Sequence, residues 1–217
     1  MQDSNNSWKP VLKIADPPAP HSPDRQHRAI DYDKVLKLGR ELLIALGENP
    51  DDEGLADTPR RWASWWKEFI EYKPGTTETT FDVVTSDQLV VVSGMRVWSI
   101  CEHHLLPMWC DISIGYIARQ KVLGLSKFAR IAHESAHKLQ LQERLNSEIA
   151  DKISRVTESP DVIVLATGAH LCMMMRGIKT DGQVSSLITR GVFAEKADLR
   201  ADFLHLVDRK SSHRDIS

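Results

Sequence analysis

Cysteine is scarce in this chain: three residues in 217, an odd number too small to staple a fold with disulfides. No apolar run approaches the length needed to cross a bilayer, so no membrane partner is expected. A basic surplus is missing too. The net charge is -2, which argues against a general nucleic-acid binder and makes any anion site a local one. The N-terminus lacks the apolar core of a signal peptide, and unpaired cysteines fit a reducing, cytoplasmic setting. No internal repeat has a usable period. What remains is length enough for one well-cored domain with an appendage, or for two small ones, with cysteines free for metal binding or reactivity.

Residues 1–29 hold five of the ten prolines and no sustained apolar period, which reads as a disordered proline-rich tail. A helical region follows over residues 30–75. Val35, Leu38, Leu42, Ala45 and Leu46 recur at helical spacing, and "DTPRRWASWWKEF" predicts a second helix with Thr58 as N-cap and Pro59 at its first position. Trp62, Trp65, Trp66 and Phe69 form its stripe, a packing surface for a neighbouring helix or subunit. From residue 88 the pattern turns to strand, with "QLVVVSG", "RVWSI" and "DISIGYI" rich in β-branched residues. Two helical stretches follow, "SKFARIAHESAHKLQ" and "QERLNSEIADKISRV". Then come a long strand "DVIVLATGAHLCMMMR", another in "VSSLITRGVF", and a closing helix "LRADFLHLV". The fold class is α+β: helices, then strand-strand-helix-helix-strand-strand, then helix.

The chemistry concentrates in "CEHHLLPMWC" and "HLCMMMR". Cys101 and His104 have the C-x2-H separation with which one turn offers two metal ligands. Strand alternation after residue 161 puts His170, Cys172, Met174 and Arg176 on one face. Two thiolates and one imidazole leave a tetrahedral zinc with an open position, as in catalytic sites; Cys110 is the rival that would close a four-ligand structural site. Buried core cysteines and satisfied core histidines would produce the same letters, and spacing alone leaves both readings open.

"GLSKFAR" places Ser126 at a helix N-cap with Lys127 and Arg130 beside it, the end of a helix dipole that disfavours cations unless an anion binds there. The competing reading is a solvated face with Arg130 paired to Glu134. Glu143, in the first turn of the next helix, is favourable without any ligand; a carboxylate there can also accept two parallel N–H bonds from a planar base.

"CEHHLLP", "GLSK" with Arg130, "LQLQERL", "HLCMMMRG" and "DTPRRW" stand in the order, and nearly the spacing, of one known family. Over residues of about 31–207 the chain resembles GTP cyclohydrolase I, the zinc enzyme that converts GTP to 7,8-dihydroneopterin triphosphate and formate at the head of folate and tetrahydropterin synthesis. The resemblance implies the tunnelling fold, in residues 76–217, with subunit sheets joined into a barrel and a homo-oligomer expected to be a decamer of two pentamers. It implies Zn2+ on Cys101, His104 and Cys172, and proton transfer by His103 and His170. It further implies the GTP triphosphate on Ser126, Lys127, Arg130 and Arg176, and guanine recognition by Gln142 and Glu143. The chain departs from the family at Cys110, where glycine is usual, at His137 and Lys138, where two arginines are common, and in a shorter loop after Arg176. These departures define two rivals: a related metal-dependent GTP hydrolase with another metal or product, and a non-enzymatic module closed by Cys110.

Overall fold

The computed structural model describes residues 29–211; the predicted tail lies outside the described residues except for its last position. Helix α1 (Tyr32–Ala45) is capped by Asp31, whose carboxylate accepts from Lys34 N at 3.0 Å. Helix α2 (Thr58–Ile70) starts one residue earlier than expected. Its N-cap is Asp57, Thr58 is already helical, and Pro59 is buried in the first turn. The Asp57 carboxylate caps no N–H; it accepts from Arg60 and Arg61, and the Arg60 hydrogen bond holds its pKa below the usual carboxylate range. The two helices approach closely because position 39 is glycine: a Cβ there would meet the Trp62 ring at 3.0 Å and Pro59 Cα at 3.3 Å. Trp62 thus packs on α1, as the stripe predicts, whereas Trp65 stacks on Phe69 with ring centres 6.0 Å apart and stays partly open to solvent.

Among the described residues, strand β1 (Thr80–Asp82) pairs with β4 (Lys121–Leu123) in a separate two-stranded sheet. The main sheet has the order β5-β2-β3-β6-β7. Its centre is β2 (Gln88–Cys101) against β3 (Pro107–Ala118), and β3 against β6 (Val162–His170), all antiparallel. "QLVVVSG" and "RVWSI", read as separate strands, are one. The register shifts between Val92 and Met95, so a bulge absorbs Ser93 and Gly94 and the ladder continues. β7 (Val184–Thr189) closes one edge, and the two-residue β5 (Leu139–Gln140) adds in parallel to the end of β2.

Helices α3 (Leu125–Ala136) and α4 (Gln142–Thr157) cover one face of this sheet. Phe128, Ile131, Leu145, Ile149 and Ile153 are fully buried there, each contributing about 1.5–3 kcal/mol over an exposed position. On the opposite face α6 (Val192–Glu195) and α7 (Ala197–Ser211) bring Phe193 and Phe203 onto Ile117 and Ile163. The closing helix is longer than "LRADFLHLV" suggests. The long strands and paired helices keep the expected order, β2-β3-α3-α4-β6-β7.

Candidate metal and catalytic site

Cys101 ends β2, and the chain turns at once: Cys101 N donates to Leu106 O, and Leu105 N to Cys101 O, both at 2.9 Å. This tight hairpin presents His103 and His104, both exposed, while Cys101 stays buried. Their rings stand edge to face with centres 6.2 Å apart.

Strand β6 brings His170 opposite Met108 on β3, and there the strand stops. The expected continuation through Arg176, with His170, Cys172, Met174 and Arg176 on one strand face, is corrected by a single helical turn, α5 (Leu171–Met174). The reason lies in the partner. Leu171 would next face Pro107, which has no N–H to donate, so the backbone closes its own bond, Met175 N to Leu171 O at 2.9 Å. The turn swings Cys172 toward the hairpin, leaving its Sγ 3.8 Å from that of Cys101.

The Cys101 Sγ lies 4.0 Å from His104 Nδ1, and one donor atom from each of Cys101, His104 and Cys172 falls within 4.8 Å of the others. A tetrahedral ion with metal–sulfur bonds of about 2.3 Å separates two sulfurs by about 3.8 Å, so the donor set fits. Burial pushes the Cys172 thiol up, and the hydrogen bond with Cys101 adds to it; two thiolates this close need a cation. Among the described residues this is the group of His, Cys, Asp and Glu that could hold a metal. Arg176, beyond the helical turn, donates to His104 Nε2.

His170 is held by a residue whose side chain is itself fully committed. Gln142, 1% exposed, donates through Nε2 to Ala166 O (3.0 Å), Val184 O (2.9 Å) and Ser186 Oγ (3.0 Å). Its Oε1 therefore faces His170 Nε2, 2.8 Å away, as an acceptor. His170 must carry its proton on Nε2 and keep the Nδ1 lone pair free. Burial lowers its pKa, against an opposing pull from Glu143, so the ring is neutral at neutral pH. Glu143 itself is exposed at the start of α4.

Cys110 sits beneath this pair, 3.7 Å from Gln142 Oε1. Burial pushes its thiol up to about 12, with the Asp111 and Glu143 carboxylates adding to the effect, so it is a neutral S–H and outside the metal group. The rival four-ligand site is not formed. A second glycine makes room here: a Cβ at Gly168 would stand 2.2 Å from Trp109 O and 2.7 Å from Cys110 Sγ.

The phosphate candidates lie elsewhere. Gly124, not Ser126, is the N-cap of α3, and Ser126 is the second helical residue, exposed; no side chain caps this helix start. Lys127 follows. Arg130 Nη1 donates to Pro74 O at 2.7 Å, while Glu134 pairs with Lys152 at 3.0 Å, so the predicted Arg130 to Glu134 pair is absent. The last turn of α3 is next to the metal hairpin, since Ser99 Oγ donates to Ala136 O at 2.6 Å. Ser126 is thus about 15 Å away along the helix, at 1.5 Å per residue. One chain brings Cys101, His104, Cys172, His170, Gln142 and Arg176 together, and leaves Ser126 and Lys127 in the first turn of α3 and Arg130 at its middle.

Sequence reading missed Arg144. Its Nη2 donates to Glu102 Oε2 (2.5 Å) and Leu139 O (2.9 Å), and Nε to Gln140 Oε1 (2.5 Å), which ties the hairpin to β5 and α4. Its only sequence signal is an arginine in the first turn of a helix after "LQLQ", which no spacing rule singles out.

The model of the family described as GTP cyclohydrolase I matches residues 36–208. This chain belongs to the GTP cyclohydrolase I family. It is 42% identical over 179 residues to GTP cyclohydrolase 1 of Hyperthermus butylicus, covering 82% of this chain and 92% of that one. It is 41% identical over 178 residues to GTP cyclohydrolase 1 1 of Pseudomonas syringae pv. tomato, covering 78% and 94%. Aquifex aeolicus GTP cyclohydrolase 1 is 38% identical over 180 residues, covering 82% and 98%. The environment of Cys110 makes a prediction. Cys110→Gly is expected to retain bound metal, and in the native protein Cys110 should resist iodoacetamide at neutral pH, because only the thiolate reacts. Mass spectrometry reads both; rapid labelling of Cys110 in the folded protein would refute the neutral buried thiol.

Proposed function

We propose that this chain is a zinc-dependent GTP cyclohydrolase I, converting GTP to 7,8-dihydroneopterin triphosphate and formate as the first step of folate and tetrahydropterin biosynthesis. The observation that carries the reading is the pair of cysteine sulfurs 3.8 Å apart beside His104, with a neutral histidine of fixed tautomer on the adjoining strand end. Zinc, when bound by Cys101, His104 and Cys172, supplies Lewis-acid activation of the water that attacks C8 of guanine. His170 exchanges its proton at Nδ1, because Gln142 occupies Nε2. His103, exposed on the hairpin, is the second proton carrier as the imidazole ring opens. Glu143 reads the guanine edge with its free carboxylate. Gln142 stands at the same helix start, its side chain given to His170.

The triphosphate falls to Ser126, Lys127, Arg130 and Arg176. Because Ser126 and Lys127 sit in the far turn of α3 and Arg130 at mid-helix is turned to Pro74, a complete site draws the first three from a neighbouring subunit. That supports a homo-oligomer of tunnelling-fold subunits, a decamer of two pentamers whose sheets join into a barrel, each subunit having a helical region (30–75) and a catalytic domain (76–217). A cytoplasmic location suits three free cysteines, and no helix among the described residues is long and apolar enough to cross a membrane. Sedimentation with activity across the peak tests the shared site. Full turnover by a stable monomer would exclude it.

The activity itself is tested by incubating purified, zinc-loaded protein with GTP and measuring formate together with fluorescent neopterin after oxidation. Formate without neopterin would point to a different product, and neither would end the proposal. Lys127→Ala and Arg130→Ala are expected to raise KM about tenfold or more with smaller losses in kcat, since they grip phosphates remote from C8. The KM effect should shrink at high salt, where exposed charges are screened. An unchanged KM in both variants at low salt would remove the phosphate assignment.

A further inference from the structure

Between α2, the residues after it, β2 and α3 lies a cavity of about 350 Å3 that contains none of the metal, proton-transfer, phosphate or guanine residues. Its walls are aromatic. Tyr72 stacks on His137 at 3.9 Å and 15°, Phe69 lies 5.1 Å from the same imidazole, and Trp65 stacks on Phe69. Trp65 and Trp98 complete the lining, yet are 39% and 53% exposed. Large aromatic faces left open around a concavity mark a binding surface.

The charge in this cavity has one sign. Glu68 lines it, forms no ion pair among the described residues, and no lysine or arginine joins it in the wall. The two histidines add no positive charge at neutral pH, because burial lowers the pKa of both His133 and His137. His137 Nδ1 donates to His133 O at 2.7 Å, so its Nε2 keeps a lone pair. The lining therefore offers π faces, a carboxylate and a nitrogen acceptor. Each attracts a cation, and together they repel a phosphate.

We propose that this cavity binds a small organic cation with a flat, N–H-bearing head of the amidinium or guanidinium class, at a site separate from that of GTP. The flat head matches the stacked rings, its N–H groups match Glu68, and its charge matches the ring faces. The inference does not depend on the cyclohydrolase reading, since it uses none of the same residues.

Three isosteres that differ in charge test it on the full-length, zinc-loaded protein: benzamidine, benzamide and benzoate, titrated by calorimetry and by tryptophan fluorescence. Benzamidine is expected to bind with Kd at or below about 1 mM, benzamide at least about tenfold more weakly, and benzoate not at all. Glu68→Gln, an exposed change that leaves the fold and zinc content alone, should bring benzamidine down to the level of benzamide. Trp98→Ala should weaken both by about tenfold. Saturating GTP should leave benzamidine affinity unchanged. Equal binding of benzamidine and benzamide would reduce the cavity to an apolar hole and overturn the proposal. Absence of benzamidine binding, as when another subunit covers the cavity, or its displacement by GTP, overturns it equally.

Discussion

Alanine at Cys101, His104 or Cys172 is expected to strip the bound metal and abolish GTP turnover. In the proposed site each residue is one of three protein donors, so loss of one should cost more than the 10–100-fold typical of disturbing a residue behind a ligand. His104 gives the cleanest experiment. It is exposed on the hairpin, so its removal opens no cavity, whereas Cys101 is buried at the end of β2. Metal analysis of the purified variants should find about one zinc per chain in the parent and little in any of the three. A variant that keeps stoichiometric zinc and full turnover would show that its residue is not a ligand.

His170→Ala and His103→Ala should separate proton transfer from coordination. Both are expected to retain zinc and the native fold while kcat falls by roughly a hundredfold or more, the usual scale for removing a general acid or base. For His170 the geometry adds a condition. Its Nε2 is fixed on Gln142, whose amide is locked by Ala166, Val184 and Ser186, so chemistry is left to Nδ1. His170→Gln, which fills the space with a hydrogen-bonding group that cannot exchange a proton at neutral pH, should be as inactive as alanine. Near-parent turnover by both histidine variants, with zinc present, would return these side chains to packing.

Much of the site was legible in sequence because its elements are local. C-x2-H within one hairpin needs only the turn that residues 101–106 make for themselves, and the helix carrying Lys127 and Arg130 follows from its own apolar spacing. The contacts of Gln142 were not legible, for the opposite reason. In sequence it is a polar residue at a helix start beside Glu143; in the fold its amide is buried among groups from two strands, twenty-four to forty-four residues away.

By itself the sequence determined the α+β class and the apolar faces of α3 and α4, and set Cys101 and His104 in one turn, because periodicity and short spacing act within a few residues. Only the tertiary structure decided where β6 ends, since that depended on Pro107 in another strand having no N–H to give. It also joined two apparent strands into β2, whose bulge is absorbed only against a paired neighbour. It decided, too, that Arg130 meets Pro74 rather than Glu134, because Glu134 is taken by Lys152 of the helix alongside. Each of these outcomes rests on a hydrogen bond or charge whose partner is distant in the chain, and no local pattern encodes which partner arrives.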